Sequence, residues 1–70
     1  MRDVEIRDES IRLGQLLKLA NLAEDGAMAK DLLEDEVVLV NGEVETRRGR
    51  QLVLGDRVAV EDEEVQVVSA

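Results

Sequence analysis

The sequence is defined first by what it lacks: its 70 residues include no cysteine, histidine, proline or aromatic residue. Without cysteine, the chain can form no disulfide and can offer no thiolate to a metal ion. Without histidine, it lacks the commonest general base and the commonest metal ligand. No apolar run approaches the roughly 18 residues that span a bilayer, and the N-terminus has no apolar signal-peptide core. We therefore expect a cytoplasmic protein with no cofactor, no metal ion and no membrane association.

The length allows one domain over residues 1–70, close to the lower limit for folding on a hydrophobic core alone. Hydrophobic residues make up 44% of the chain, and they are all aliphatic or methionine. No repeat, low-complexity stretch or linker divides the sequence. The sequence therefore predicts a single small core of leucine, valine, isoleucine, alanine and methionine, in which Leu17, Ala29, Leu32, Val40 and Val58 are expected to be buried together.

Charge is unevenly distributed along the chain. The 17 acidic and nine basic residues give a net charge of −8, which repels polyanions at long range. The segment from Arg47 to Arg57, however, contains four arginines and a single acid, so it carries +3 and the remainder carries −11. One basic loop in an acidic chain can still hold phosphates locally.

Apolar spacing predicts two short helices in the first half. Leu13, Leu16, Leu17 and Ala20 fall at i, i+3, i+4 and i+7, which places them on one face of a first helix. A polar break then precedes a second helix, which Asp25 can cap. The buried stripe of that helix is expected to contain Ala29, Leu32 and Leu33.

After residue 36 the apolar period changes to two, which is typical of strands. Asn41-Gly42 predicts a two-residue hairpin turn between strands at Val38 to Val40 and Val44 to Thr46. Three further strands are predicted, at Leu52 and Leu54, at Val58 and Val60, and at Val65 to Val68. A Gly55-Asp56 turn and the acidic residues 61–64 separate them. With a short opening strand at Val4 and Ile6, the order is strand, helix, helix and then four short strands. This order predicts a small α+β domain.

Four motifs resemble the S4-type RNA-binding domain family: Arg12-Leu13, Ala29-Lys30 with Leu32-Leu33, Val38-Leu39-Val40-Asn41-Gly42, and Leu54-Gly55-Asp56-Arg57-Val58. The segments 14–20 and 43–50 are similar to the small stand-alone bacterial branch, which carries no catalytic domain. The resemblance covers about residues 4 to 68. It implies two short packed helices against a small, mainly antiparallel sheet, an arrangement called the alpha-L RNA-binding motif.

The resemblance also implies a function and a site. In the family, the two helices and the following hairpin form a concave surface that grips folded RNA, such as ribosomal or transfer RNA. Arg12 and Lys30 match positively charged helix positions that approach the RNA. The basic loop of the stand-alone branch is matched by Arg47, Arg48 and Arg50. The chain departs from the family where Glu36 replaces a common glycine and Leu39 a common lysine.

Each candidate also has a purely structural interpretation. Arg47, Arg48 and Arg50 can converge on a phosphate, because each guanidinium offers paired N–H donors. The alternative is a solvated loop that Glu43 and Glu45 neutralise. Lysine and arginine on an exposed helix face commonly serve only solubility, and this is the alternative for Arg12 and Lys30. Lys18 is a further candidate for RNA contact. It lies six residues after Arg12, so the two side chains need not share a helix face.

The sequence leaves two classes of function open. The first is a non-catalytic, monomeric module that binds structured RNA through phosphates, without base stacking because aromatics are absent. The second is an acidic protein-interaction module on the same fold, which binds a basic partner such as a ribosomal protein. Catalysis is not expected, because no nucleophile and base pair exists. The acidic runs 34–36 and 61–64 lack the spacing of a calcium loop and are expected to be solvated.

Overall fold

The computed structural model describes residues 1 to 70, which form seven strands and two helices joined by turns and loops. The chain begins with two strands, β1 (Arg2–Ile6) and β2 (Ser10–Arg12). The helices α1 (Leu13–Leu19) and α2 (Gly26–Glu34) follow. The remaining strands are β3 (Val38–Val40), β4 (Glu43–Val44), β5 (Gln51–Val53), β6 (Arg57–Val60) and β7 (Glu63–Ser69).

The main sheet has five strands in the order β1-β7-β6-β3-β4. Only the β1–β7 pair is parallel, and the other three pairs are antiparallel. The register aligns buried side chains on one face, since Val38 pairs with Val60 and Val40 with Val58. The predicted α+β class, with two packed helices and a mainly antiparallel sheet, is confirmed.

A second sheet of two strands, β2 with β5, was not predicted. Ser10–Arg12 contains a single apolar residue, Ile11, so it carries no period-two signal. The pairing extends directly into α1, which begins at the next residue. The second sheet therefore fixes where the first helix starts.

Contacts between two turns explain why the Asn-Gly and Gly-Asp motifs occur together: one turn joins β3 to β4 in the main sheet, and the other joins β5 of the second sheet to β6 of the main sheet. Asn41 and Gly42 adopt positive φ angles of 52° and 87°, as the predicted hairpin turn requires. The Asn41 side chain donates to Asp56 Oδ1 (3.1 Å) and accepts from the backbone N–H of Arg57 (2.9 Å). Asp56 in turn accepts from the backbone N–H of Val53 (2.9 Å). One hydrogen-bond network thus joins the two turns.

A single cluster of 17 buried residues forms the core, with contributions from both helices, both sheets and the loop between the helices. Four of the five residues predicted to share this core are fully buried: Leu17, Ala29, Val40 and Val58. The fifth, Leu32, is only partly buried at its edge, and Leu33 provides the buried contact of α2. The prediction for Leu32 was wrong because neighbouring positions on a helix point in different directions, and the core lies on the side of α2 that Ala29 and Leu33 share.

Two strand predictions also extend too far. The return strand β4 ends at Val44, before Thr46, because Glu45 turns inward. Strand β5 ends at Val53, and Leu54 is 45% exposed. Neither helix has the length and apolar character needed to cross a membrane.

Candidate functional site

The basic loop is built around a buried carboxylate. We call residues 45–50, between β4 and β5, the arginine loop. Glu45 is the only charged residue in the core, at 6% exposure. Its Oε2 accepts hydrogen bonds from the backbone N–H groups of Thr46 (3.0 Å) and Arg47 (2.9 Å). The carboxylate therefore folds the first turn of the loop around itself.

Two of the three loop arginines complete the environment of Glu45. Arg47 binds both carboxylate oxygens, from Nε to Oε2 and from Nη2 to Oε1, each at 3.1 Å. Arg50 donates from Nη1 to Oε1 at 3.0 Å. The side-chain bond from Arg47, its backbone N–H and the Arg50 bond lower the pKa of Glu45 to about 2, although burial opposes them. The carboxylate in turn raises the pKa of Arg47.

The backbone of the arginine loop caps the first helix. Helix α1 has no side-chain cap at Arg12. Instead, the backbone N–H of Leu13 donates to the carbonyl of Arg50 (2.8 Å), and that of Gly14 donates to the carbonyl of Arg48 (3.0 Å). These N–H groups would otherwise lack partners within the helix. The loop is therefore held against α1 at a fixed distance.

Gly14 makes this close approach possible. A Cβ atom at this position would lie 2.5 Å from Cγ of Arg48 and 3.2 Å from its Cδ. Any larger residue would therefore force the Arg48 side chain to move. Glycine inside a predicted helix commonly has such a packing reason, and this was the signal in the sequence that could have identified Gly14.

A cleft of about 360 Å³ opens where the arginine loop meets the two helices. Arg12, Lys18 and Arg48 supply its charge, and Gln15 and small residues of α1, α2 and the loop supply the rest of its lining. No acidic residue lines it. We call this site the cationic cleft. In a chain with a net charge of −8, it is a local concentration of positive charge.

A second concavity of about 290 Å³ shares Arg48 with the cationic cleft. Lys30 of α2 and Thr46 of the arginine loop line it, together with the acidic Glu34. Arg48 therefore lies between the two concavities. A ligand that extends from one to the other passes Arg48 in the middle.

The structure thus divides the six candidate residues into two groups. Arg12, Lys18 and Arg48 lie around one cleft with Lys30 next to it, whereas Arg47 and Arg50 bind Glu45. Lys18 lies on the same cleft as Arg12, although their spacing did not require it. From the sequence, Glu45 was expected only to neutralise the charge of the loop. Its burial could not be predicted, because an acidic residue in a strand pattern is normally expected to be exposed.

Comparisons with known proteins place this chain in a family. The S4 domain matches residues 4–68. The chain is 50% identical over 58 residues to the probable ribosome maturation protein RlbA of Bacillus subtilis, which covers 83% of this chain and 82% of that protein. It is 41% identical over 59 residues to YbcJ of Escherichia coli K12, covering 84% of each. The chain therefore belongs to the S4 domain family.

Solved structures agree with this assignment. The solution structure of E. coli YbcJ, described as revealing an αL motif involved in RNA binding, matches with a TM-score of 0.75 and 36% identity. The match covers 99% of this chain and 89% of that one. The 30S ribosomal protein S4e of Thermoplasma acidophilum has the same fold over 83% of this chain and 31% of its own, with a TM-score of 0.62 and 19% identity. The predicted family and alpha-L fold are confirmed.

Proposed function

We propose that this protein binds structured RNA through its phosphates, and that the cationic cleft is the contact surface. One observation supports this most directly: three cations from three separate segments line one cleft without any acid, in a strongly acidic protein. The relatives support RNA as the ligand, because YbcJ is described as having a motif involved in RNA binding and RlbA is named for ribosome maturation. Ribosomal RNA is accordingly the first RNA to test.

The chemistry of the cleft favours recognition of shape over recognition of sequence. Arg12, Lys18 and Arg48 can reach phosphates and ribose hydroxyls, and these contacts position an RNA without reading its bases. Stacking of single-stranded bases contributes nothing, since the chain has no aromatic residue. We therefore propose a helical or compactly folded RNA as the ligand, and a binding role without catalysis.

The three loop arginines have different proposed roles. Arg48 is the direct contact, because no carboxylate binds its side chain. Arg50, at 34% side-chain exposure, holds the loop through Glu45. Arg47 does both, since its side chain is 75% exposed while it binds Glu45 and keeps Nη1 free for a phosphate. Lys30 extends the contact surface along α2.

The acidic protein-interaction module remains the alternative function. The net charge of −8 favours it, because a basic protein partner would be attracted over most of the surface. The two functions differ in their response to RNase and to changes in the cleft. RNA-dependent binding that requires Arg48 supports the first, whereas RNase-resistant binding of a basic protein without any measurable RNA affinity supports the second.

The proposal is tested with Arg48→Ala and the matched variant Arg57→Ala, in filter binding to a ribosomal RNA hairpin at fixed salt. Both arginines are exposed and both changes remove one charge, but Arg57 lines none of the concavities. We expect Arg48→Ala to weaken binding by about tenfold, as for loss of one charge-assisted contact worth about 1.5 kcal/mol, and Arg57→Ala to change it little. Equal effects of the two variants would refute the assignment of the cleft.

Replacement of all three loop arginines would be a less selective test. Removing Arg47 and Arg50 would leave the Glu45 carboxylate, at 8% side-chain exposure, without its ion pairs. A buried charge that loses its partners destabilises a protein by about 3–5 kcal/mol. Loss of RNA binding in that variant would therefore report loop unfolding as well as loss of contacts.

A further inference from the structure

A second concave surface lies on another side of the helices, and its chemistry is opposite to that of the cationic cleft. This groove has a volume of about 320 Å³. Its apolar lining consists of Leu22, Met28, Leu32 and Val60. Its polar lining consists of Asn21 and three consecutive acids: Glu61 and Asp62 of the β6–β7 turn and Glu63 at the start of β7. We call it the acidic groove.

Helix α2 separates the acidic groove from the cationic cleft. Met28 and Leu32 are spaced four residues apart and form one stripe along the helix. Gly26 and Ala29 line the cationic cleft and Lys30 lines the concavity next to it, on a different side of the same helix. A ligand in the groove and an RNA on the cleft would therefore contact different faces of α2.

The floor of the groove is apolar and accessible. Met28 is 41% exposed, and its flexible thioether side chain can adapt to different apolar partners. Leu32 is partly buried at the edge of the core and is not covered by any other element. The volume of the groove is near the lower limit for ligand sites, which is about 300 Å³. The groove therefore suits one apolar side chain better than a large ligand.

The charges around the groove select the kind of occupant. No basic residue lines it, and Glu61 and Asp62 form no ion pair. Glu63 is the one acid of the groove with a basic neighbour: Arg2 lies 3.8 Å from it and also donates to the carbonyl of Ala20. An acidic rim repels RNA phosphates and attracts lysine and arginine side chains.

We propose that the acidic groove docks a cationic protein segment, with an apolar side chain of the partner on Met28 and Leu32 and its basic residues beside Glu61 and Asp62. This interaction does not depend on the RNA proposal, because it uses different residues on a different surface. If both hold, the protein can contact an RNA and a basic protein at the same time.

The test uses the ¹⁵N-labelled protein, residues 1–70, and a defined probe: a short synthetic lysine peptide with two leucines spaced four residues apart. A control peptide carries serine in place of the leucines. We expect the leucine peptide to shift amide resonances of residues 21–22, 28, 32 and 60–63, and the serine peptide to bind at least about tenfold more weakly, since its apolar contact is lost. Shifts spread over the whole acidic surface, or equal affinity of the two peptides, would overturn the proposal.

Three variants distinguish peptide binding at the groove from non-specific attraction to the acidic surface of the protein. Met28→Ala and Asp62→Lys should each weaken the leucine peptide by about three- to tenfold. Glu9→Lys makes the same charge change at an exposed position outside the groove and should alter affinity less than twofold. A Glu9→Lys effect as large as that of Asp62→Lys would contradict the proposal.

A second titration, with the ribosomal RNA hairpin in place of the peptide, identifies which macromolecule the groove takes. We expect RNA-induced shifts at residues 12–18, 26, 29–30 and 47–49, with no shifts at 60–63. RNA-induced shifts at residues 60–63 that compete with the peptide would overturn the assignment of the groove to a protein partner. Failure of RNA to bind anywhere would contradict only the proposed RNA function.

Discussion

At the scale of single residues, one carboxylate organises the basic loop. Glu45 accepts two backbone and three side-chain hydrogen bonds, and its side chain is 8% exposed. Charge-assisted bonds of this kind are about twice as strong as neutral ones. The positive charge of Arg47 and Arg50 thus serves first to fix the loop, which leaves Arg48 to point into the cationic cleft.

Glu45→Gln should lower the free energy of unfolding at pH 7 by about 1–3 kcal/mol, because the hydrogen bonds to a charged group are lost. The exposed neighbour Glu43, which forms no ion pair, provides the matched control Glu43→Gln, with no significant change expected. Urea unfolding followed by circular dichroism measures both. A Glu45→Gln variant as stable as the parent would show that the carboxylate does not hold the loop.

The contribution of Glu45 should depend on pH in one direction. Its pKa is about 2 in the folded protein against an ordinary value of 4.5, so the folded state favours the ionised form. This stabilisation is fully present above about pH 4.5 and is lost as the pH falls towards 2. The stability difference between the parent and Glu45→Gln should therefore shrink over this range. A difference that stays constant from pH 7 to pH 2.5 would contradict the assigned ionisation.

Gly14→Ala tests the position of Arg48 without removing any charge. The added Cβ would meet Cγ of Arg48 at 2.5 Å, so the Arg48 side chain must shift from its present position in the cleft. The matched change Gly26→Ala adds a methyl group on the same cleft, where nothing lies within 4 Å. In fluorescence titrations with the RNA hairpin, we expect Gly14→Ala to weaken binding about as much as Arg48→Ala, and Gly26→Ala to have little effect. Identical affinities for the two alanine variants would argue against this geometry.

At the scale of elements, both helices end in the same way. Asn21 and Glu36 each adopt a φ of 60°, directly after α1 and α2. In each case the next two N–H groups turn back to the helix, from Asn21 and Leu22 after α1 and from Glu36 and Val37 after α2. This is the hydrogen-bond pattern of the Schellman motif, which favours glycine or asparagine in the left-handed position. Glu36 is the less suitable residue of the two.

Glu36→Gly should therefore stabilise the protein by about 0.5–1 kcal/mol. The left-handed conformation costs a residue with a Cβ about 1–2 kcal/mol, and glycine avoids this cost. Glycine also loses more chain entropy on folding, which offsets part of the gain. The preceding residue provides the control, since Asp35 has a right-handed conformation with φ of −77°. Asp35→Gly should destabilise. Thermal melting of both variants decides the question, and a lower melting temperature for Glu36→Gly would contradict it.

The elements also show how far the sequence predicts this structure. Both helices, the opening strand and the Asn41-Gly42 hairpin could be predicted because each has its own local signal, either periodicity or turn chemistry. Strand β2 could not, since its three residues are held by pairing with β5, which is 39 or more residues away in the chain. The cleft could be predicted only in part for the same reason. Arg12, Lys18 and Arg48 become neighbours through the docking of the arginine loop on α1, a tertiary contact without a local pattern.

At the scale of the whole molecule, charge is separated between surfaces. The cationic cleft gathers three of the nine basic residues in the chain, and the acidic groove gathers three consecutive acids across α2. A net charge of −8 would slow the approach of RNA, so the proposed binding would depend on the local field of the cleft. The proposal thus accounts for an acidic composition on a fold shared with a protein described as having an RNA-binding motif.

The most direct test of the cationic cleft is the salt dependence of RNA binding for the parent and for the triple variant Arg12→Ala, Lys18→Ala, Arg48→Ala. For about three to four phosphate contacts, the plot of log K against log salt should have a slope of roughly −2 to −4 in the parent. Loss of three contacts should flatten that slope by about two to three units in the variant. A slope near zero in the parent, or an unchanged slope in a folded triple variant, would contradict binding of RNA phosphates at this cleft.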